Sequence, residues 1–421
     1  MSPREKFCNN EKPRHSNAGV FSFHHDYNSP VLQNCRIQLD GISKSFQRRP
    51  APPHLMLRCD PPYASAILFD RHGPLRQWPN PLEALHWLAT DARQYDWIGY
   101  LSYDLGRWFE KFPVIAQDDL NLPLFIFTAH EPGDTPEPSL NTPAVSRSDL
   151  RSTFTREGYE SAVARIIDYI AAGDVFQVNL SQRFTTSLPA SPREIYARLQ
   201  SNTPAAYAAL LQYDDFALIS NSPELFLKIT PDRRILTRPI KGTRPLLPGM
   251  SDELRDSVKD QAELHMIVDL ERNDLGRVCE IGSVKVIEPR IIEPHATVYH
   301  GVATIEGRLR HDATFLDILR ATFPGGSVTG APKIRAMQII EELEPVRRGP
   351  YCGAIGYLAS DGTIEFNLAI RTMIVKNNLV HIPVGGGIVT DSNTAAEYEE
   401  TLVKARAMFA ALGIQIPQTA L

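Results

Sequence analysis

The sequence predicts an α+β fold, with large mixed or antiparallel β-sheets covered by helices. Three observations predict it. Strand-like runs come in consecutive groups, with helical periodicity between groups rather than after every strand, which disfavours a doubly wound parallel sheet. Of the 421 residues, 43% are apolar, enough for a sizeable core without disulfide or metal staples. The five cysteines (Cys8, Cys35, Cys59, Cys279, Cys352) are scattered and form no CxxC pair, so neither a disulfide framework nor a zinc site is expected.

Residues 1–55 are polar, lack apolar periodicity and end near Arg48-Arg49-Pro50-Ala51-Pro52-Pro53; they read as a flexible extension. His24-His25 in it has no third ligand at a metal-binding spacing. Residues 56–145 carry short apolar runs, including WIGYLSYDLGRWFE (97–110), and close on the Pro-rich stretch 131–143, read as a linker or surface loop. A regular region follows over 150–415. Tyr159, Val163, Ile166, Ile167 and Ile170 give a helix over 155–172 that Gly173 can end. Strands are expected at 175–180, 216–220, 225–229, 235–238, 284–292, 298–307, 353–358, 366–375 and 379–384. Helices are expected at 251–272, 314–322, 332–344 and 393–412, with Pro332 in a first turn.

Charge and hydropathy exclude several classes. With 44 basic and 49 acidic residues the net charge is −5, which argues against a nucleic-acid partner. No apolar run reaches the roughly 18 residues of a membrane span, and the N-terminus lacks a signal-peptide core. A cytoplasmic protein in a reducing compartment is expected.

Four features carry chemistry. Glu397, Glu400 and Lys404 fall within an arc of about 60° on one helix face, and Asp260 and Glu263 repeat the i, i+3 spacing on another. Each face could simply be solvated. If the two faces meet, four carboxylates suit a hard Mg²⁺ ion. Lys241, in RPIKGTRP (238–245), is either an exposed lysine or a partly buried amine made nucleophilic by a lowered pKa. PGGSVTGAPK (324–333) resembles a phosphate loop superficially, but Ala331 stands where that motif needs lysine. Gly385-Gly386-Gly387 is a tight turn, a bulge or a carboxylate-binding nest. Glu224 is a general acid or a plain turn residue. Arg371, on an apolar strand, needs a partner such as a substrate carboxylate. His300 is a core histidine or a site residue.

SPELF, RPIKGT, AELHMIVDLERNDLGRV, FPGGSVTGAPKIRAM, CGAIGYL, NLAIRT, GGGIV and AEYEETLVKA occur in that order over some 250 residues. This series resembles the chorismate-utilising enzymes, among them anthranilate, aminodeoxychorismate, isochorismate and salicylate synthases. LSYDLGR extends the match weakly into residues 60–130, and residues 1–55 lie outside it. The resemblance implies two packed, mostly antiparallel β-sheets flanked by helices, both chain halves joining one large domain with the substrate in a cleft. It implies that 56–145 is an N-terminal subdomain and 150–415 a chorismate-binding catalytic domain. Glu263 and Glu400 match direct Mg²⁺ ligands, and Asp260 and Glu397 a water-bridged pair. Gly242, Thr243, His300, Thr329, Tyr357, Arg371, Gly385, Gly386, Gly387 and Lys404 match the substrate-binding set. Glu224 matches the acid that protonates the leaving hydroxyl.

Within the family, Lys241 discriminates. PIKGT in place of PIAGT resembles the aminodeoxychorismate-forming members, whose lysine attacks the ring before ammonia enters. Gln177 stands where the water-adding members resemble one another in carrying a lysine base, and a glutamine amide cannot take that proton. A separate glutamine amidotransferase subunit is implied as the ammonia source, since nothing in the chain resembles a glutaminase. Two departures stand out: AELHM shifts His265 by one place, and YASAILFD (63–70) occupies the position of the tryptophan-binding LLES-type element. Anthranilate synthase activity, or a chorismate-binding paralogue without turnover, stays open as an alternative.

Overall fold

The computed structural model describes residues 32, 35–40, 47–48, 53–131 and 150–414. Two large sheets dominate. The nine-stranded sheet runs Gly330–Ala331, Gln177–Ser187, Leu379–Ile388, Thr372–Lys376, Phe216–Ser222, Tyr207–Gln212, Arg36–Asp40, Gln47–Arg48, with Arg151–Ser152 also paired to Gln177–Ser187. The twelve-stranded sheet runs Ile240–Pro245, Val298–Arg308, Arg234–Arg238, Leu225–Ile229, Ile364–Leu368, Ala354–Leu358, Asp96–Leu101, Phe125–His130, Leu55–Cys59, Ala66–Asp70, Gly73–Trp78, with Lys285–Pro294 on the free side of Val298–Arg308. Neighbouring strands are antiparallel, as the grouped strands predicted.

One core lies between the sheets, where Leu39, Tyr207 and Leu211 meet Met56, Ile98, Tyr100 and Ile355. Helices Pro192–Asn202 and Thr394–Ala411 cover the outer face of the smaller sheet through Leu199, Met408 and Phe409. Helices Pro81–Thr90, Val258–Gly276 and Phe315–Thr322 cover the larger one through Leu85, Leu264 and Leu319. Helices Arg156–Ala171 and Lys333–Leu343 pack together around Tyr159, Val163 and Ile339.

Several expectations change. Arg36–Asp40 pairs with Tyr207–Gln212, so part of the expected extension is a strand of the nine-stranded sheet; its alternating Ile37 and Leu39 are buried. His24-His25 and most of the Pro-rich stretch lie outside the described residues. The two chain halves share the twelve-stranded sheet, because Asp96–Leu101 pairs directly with Ala354–Leu358. The helix expected over 251–272 is two, Met250–Asp256 and Val258–Gly276. Ser257 sits extended between them, and its hydroxyl accepts from Asp260 N, capping the second. Pro332 is the N-cap of Lys333–Leu343 rather than a first-turn residue. Helices Pro81–Thr90 and Pro192–Asn202 were not expected. The second carries a complete capping box from Ser191 and Glu194.

The seam between the chain's two ends requires glycine. Gly99 and Gly356 face each other across it. A Cβ on Gly99 would lie 1.8 Å from Ile126 O, and one on Gly356 2.0 Å from Glu365 O. Gly356→Ala is therefore expected to destabilise the fold by about 1–3 kcal/mol, read as a lower urea midpoint. An unchanged midpoint would contradict this seam.

Candidate active site

The site begins with a break in a strand. The ladder between Ile240–Pro245 and Val298–Arg308 shifts register between Ile240 and Thr243, a bulge that re-aims the residues it skips. Gly242 at its centre has φ +81, and a Cβ there would press on Leu254 and Asp260, so only glycine fits. Lys241 is thereby turned inward. Its side chain is 12% exposed, with Nζ 4.0 Å from Glu263 Oε2. Burial lowers the amine pKa below its ordinary value, Glu263 opposes this, and Lys404 adds to it.

Opposite the bulge lie Gly385, Gly386 and Gly387. They belong to the strand Leu379–Ile388, paired with Ser181, Leu180 and Asn179; the turn reading is thus incorrect. Glycine's lack of side chain leaves a bare floor. A Cβ on Gly386 would lie 3.2 Å from Glu397 Oε2, 3.6 Å from Lys404 Nζ and 3.7 Å from Glu400 Oε1. One on Gly387 would lie 2.9 Å from Gln177 Nε2 and 3.1 Å from Lys241 Nζ. Successive strand residues face opposite sides, so Glu397, Lys404 and Glu400 press on the strand at Gly386 from one face, and Gln177 and Lys241 at Gly387 from the other. Lys404 Nζ donates to Gly385 O at 2.8 Å and pairs with Glu400 at 2.7 Å. That pairing holds the Glu400 pKa down.

Glu224, just after the strand Phe216–Ser222, is 5% exposed. Ser327 Oγ donates to its Oε1 at 2.6 Å. Burial pushes its pKa up to about 7, against the hydrogen bond from Ser327 and the charge of Lys241. A carboxyl held there can give a proton near neutrality. Arg371 occupies the gap between strands Ile364–Leu368 and Thr372–Lys376 with φ +51. It is therefore not an alternating strand residue, as expected. Tyr351, Glu400 and Glu224 are its charge neighbours.

The chorismate binding enzyme profile matches residues 70–410. The chain belongs to the chorismate binding enzyme family. Anthranilate synthase component 1 of Thermus thermophilus is 41% identical over 75% of this chain and 77% of its own length. Aminodeoxychorismate synthase component 1 of Escherichia coli is 40% identical over 73% and 74%. The crystal structure of anthranilate synthase component I from Streptococcus pneumoniae covers 97% of both chains, with a TM-score of 0.74 and 28% identity. The protein is thus a chorismate-utilising enzyme of the anthranilate and aminodeoxychorismate synthase type.

Not every residue that resemblance assigned to this family's substrate pocket reaches the floor. His300 is 4% exposed, bonds Thr243 Oγ1 through Nδ1 at 3.0 Å and also bonds the Gly242 backbone. It clamps the turn after Lys241 from behind. Burial lowers its pKa to about 3, so it stays neutral. The Thr329 hydroxyl, fully buried, donates to Gly325 O and Gly326 O and braces the loop that carries Ser327. Tyr357 is a correction. Its ring lies in the core between the sheets, its hydroxyl bonds Glu365 and Arg48 stacks on it. Tyr351, six residues earlier and missed, is the tyrosine beside Arg371. Ser327 was missed as well, although it lies within a quoted motif.

The two acidic helix faces do flank the floor. Yet no three His, Cys, Asp or Glu among the described residues converge on a single ion position. Glu263 lies near Lys241 and Lys259, Glu400 pairs with Lys404, and Asp260 accepts from Arg244 at 3.1 Å. The donor set still suits a hard cation: all four are carboxylates, and Glu397 Oε2 is buried with no partner among the described residues.

Gln177 is also fully buried, with both amide atoms unpartnered among the described residues. A further acid, Glu271, lies buried behind the Ser327 loop. It accepts from Thr237 at 2.8 Å, and burial raises its pKa to about 8.

Two outcomes follow. Ser327→Ala removes a donor that favours ionised Glu224, so the alkaline limb of chorismate turnover should move above about 7; a downward move would contradict the bond. Glu271 holds in the fold a proton that the unfolded chain loses near the ordinary carboxyl value of 4.5. Stability should therefore fall as pH rises from 4.5 to about 8. Glu271→Gln should flatten that part of the decline in urea titrations; an unchanged slope would contradict the assignment.

Proposed function

We propose that the protein aminates chorismate to 4-amino-4-deoxychorismate, the synthase step toward p-aminobenzoate and folate. The observation that carries this reading is the inward-turned, largely buried Lys241 amine beside the glycine floor. A desolvated amine with a lowered pKa is a nucleophile. Its Nζ bonds to ring carbon 2 as the carbon 4–oxygen bond breaks, the ring double bonds shifting between them. Glu224 gives its proton to the departing oxygen, which leaves as water. Ammonia then bonds to carbon 4, the double bonds shift back, and the carbon 2–Nζ bond breaks. The new amine returns a proton to Glu224. Lys404 and Arg371 supply positive charge for the substrate carboxylates. Mg²⁺ held by Glu263, Glu400, Asp260 and Glu397 supplies, when bound, the charge that neutralises the ring carboxylate. A glutamine amidotransferase subunit supplies the ammonia. Gln177 cannot act as a base toward water, which supports amination over hydration.

The 41% identity to an anthranilate synthase component 1 supports a second reading, direct amination at carbon 2 to give anthranilate.

Lys241→Ala separates these. Under the first reading it loses most ammonium-dependent amination while calorimetry still registers chorismate binding. Wild type incubated with chorismate and no ammonia carries a covalent mass of chorismate less water, which the variant lacks. A variant with the wild-type rate would overturn the covalent reading.

A further inference from the structure

A second cavity, of about 300 Å³, opens far from the glycine floor. That volume is at the small end of the range for ligand sites, roughly 300 to 1,000 Å³. It lies where the end of helix Pro81–Thr90, the turn after strand Leu225–Ile229 and the start of helix Phe315–Thr322 meet. Glu224 stands at the other end of that strand, roughly 16 Å away at the rise of an extended chain. The cavity is therefore separate from the catalytic cleft.

Its wall is apolar, formed by Ile229, Leu309, Phe315, Ile318 and Ile364. Two arginines, Arg93 and Arg233, line it beside His311 and two acids, Asp312 and Asp361, so its formal charge is balanced. Asp312 pairs with Arg310 and Asp361 accepts from Thr363 N, which leaves the two arginines as the charged donors against the apolar wall. Arg93 uses Nε on Ala89 O. Arg233 is held in the left-handed region at φ +67 by the turn Thr230–Arg234. Its Nη2 donates to Arg310 O and Ala313 O. Its Nε is buried and meets no acceptor among the described residues. That Nε is closed off from the cavity, so the guanidinium can meet a ligand only through its remaining amino group, and a charged donor set against an apolar wall suits a carboxylate on an apolar body.

We infer that this cavity binds a small organic anion with an apolar body, of the aryl- or branched-alkyl-carboxylate class. The carboxylate accepts from Arg233 and Arg93, and the hydrocarbon part covers Phe315 and Ile318.

Phenylacetate is the probe, titrated by calorimetry into the full chain, with inorganic phosphate as the anion without an apolar body. Binding is expected to weaken at least about tenfold in Arg93→Ala and in Arg233→Gln, each losing a charge-assisted bond. It should stay within about twofold in Arg371→Gln, which alters only the catalytic cleft. Chorismate turnover of Arg93→Ala should match wild type. Should Arg233→Gln fail to fold, the exposed Arg93→Ala carries the test. No binding at about 10 mM phenylacetate, binding lost in Arg371→Gln but kept in Arg93→Ala, or phosphate binding as tightly as phenylacetate would each overturn the inference.

Discussion

Burying a lysine amine is the constraint on which the cleft depends. An isolated ammonium in a dry site is costly and sheds its proton instead. Here the cost is offset in part, not cancelled. Glu263 stands 4.0 Å from Lys241 Nζ, near enough to favour the charged form without a tight ion pair. Lys404, bound to Glu400 and to Gly385 O, pushes the other way. The balance leaves an amine whose proton is loosely held, beside an acid, Glu224, whose proton is tightly held. Opposite shifts of this kind in one cleft separate a nucleophile from a proton donor at a single pH.

The fold serves this balance by bringing charge to both faces of a strand stretch without side chains. Gly385–Gly387 stay inside a ten-residue strand, so the floor is as rigid as the sheet. The charges reach it from elsewhere: Lys241 from a bulge in the other sheet, Glu263 from the helix capped by Ser257, and Glu400 and Lys404 from the helix Thr394–Ala411. Elements from distant parts of the chain must therefore dock before the site exists. His300 and Thr329 act at one remove, holding the Gly242–Thr243 turn and the Ser327 loop.

Local pattern left each site residue with a bland alternative, and the resemblance carried by the ordered motifs is what singled these residues out. Paired acids at i, i+3, a lysine before Gly-Thr and three consecutive glycines each invite a reading, and the structure gathers them at one cleft. Details that depend on long-range pairing were not legible. Glycines carry no side-chain alternation, so the run at 385–387 looked like a turn while being a strand. Ser257 breaks a continuous helical pattern through a single cap. Tyr357 and Tyr351 stand in similar apolar surroundings, and only the fold turns one into the core and the other beside Arg371. The strand Arg36–Asp40 is five residues long and pairs with a partner some 170 positions away, beyond local periodicity. The α+β class followed from the grouping of strands; their order in the two sheets did not.

On the proposed reading Lys241 and Glu224 together set the reaction, and the product reports on both. The most direct measurement is the identity of the product formed from chorismate, Mg²⁺ and ammonium by the purified chain, resolved by chromatography and mass. The arrangement around Lys241 predicts 4-amino-4-deoxychorismate, convertible to p-aminobenzoate by an added lyase. Anthranilate as the main product would contradict it, since carbon 2 would then have been open to ammonia rather than taken by the lysine.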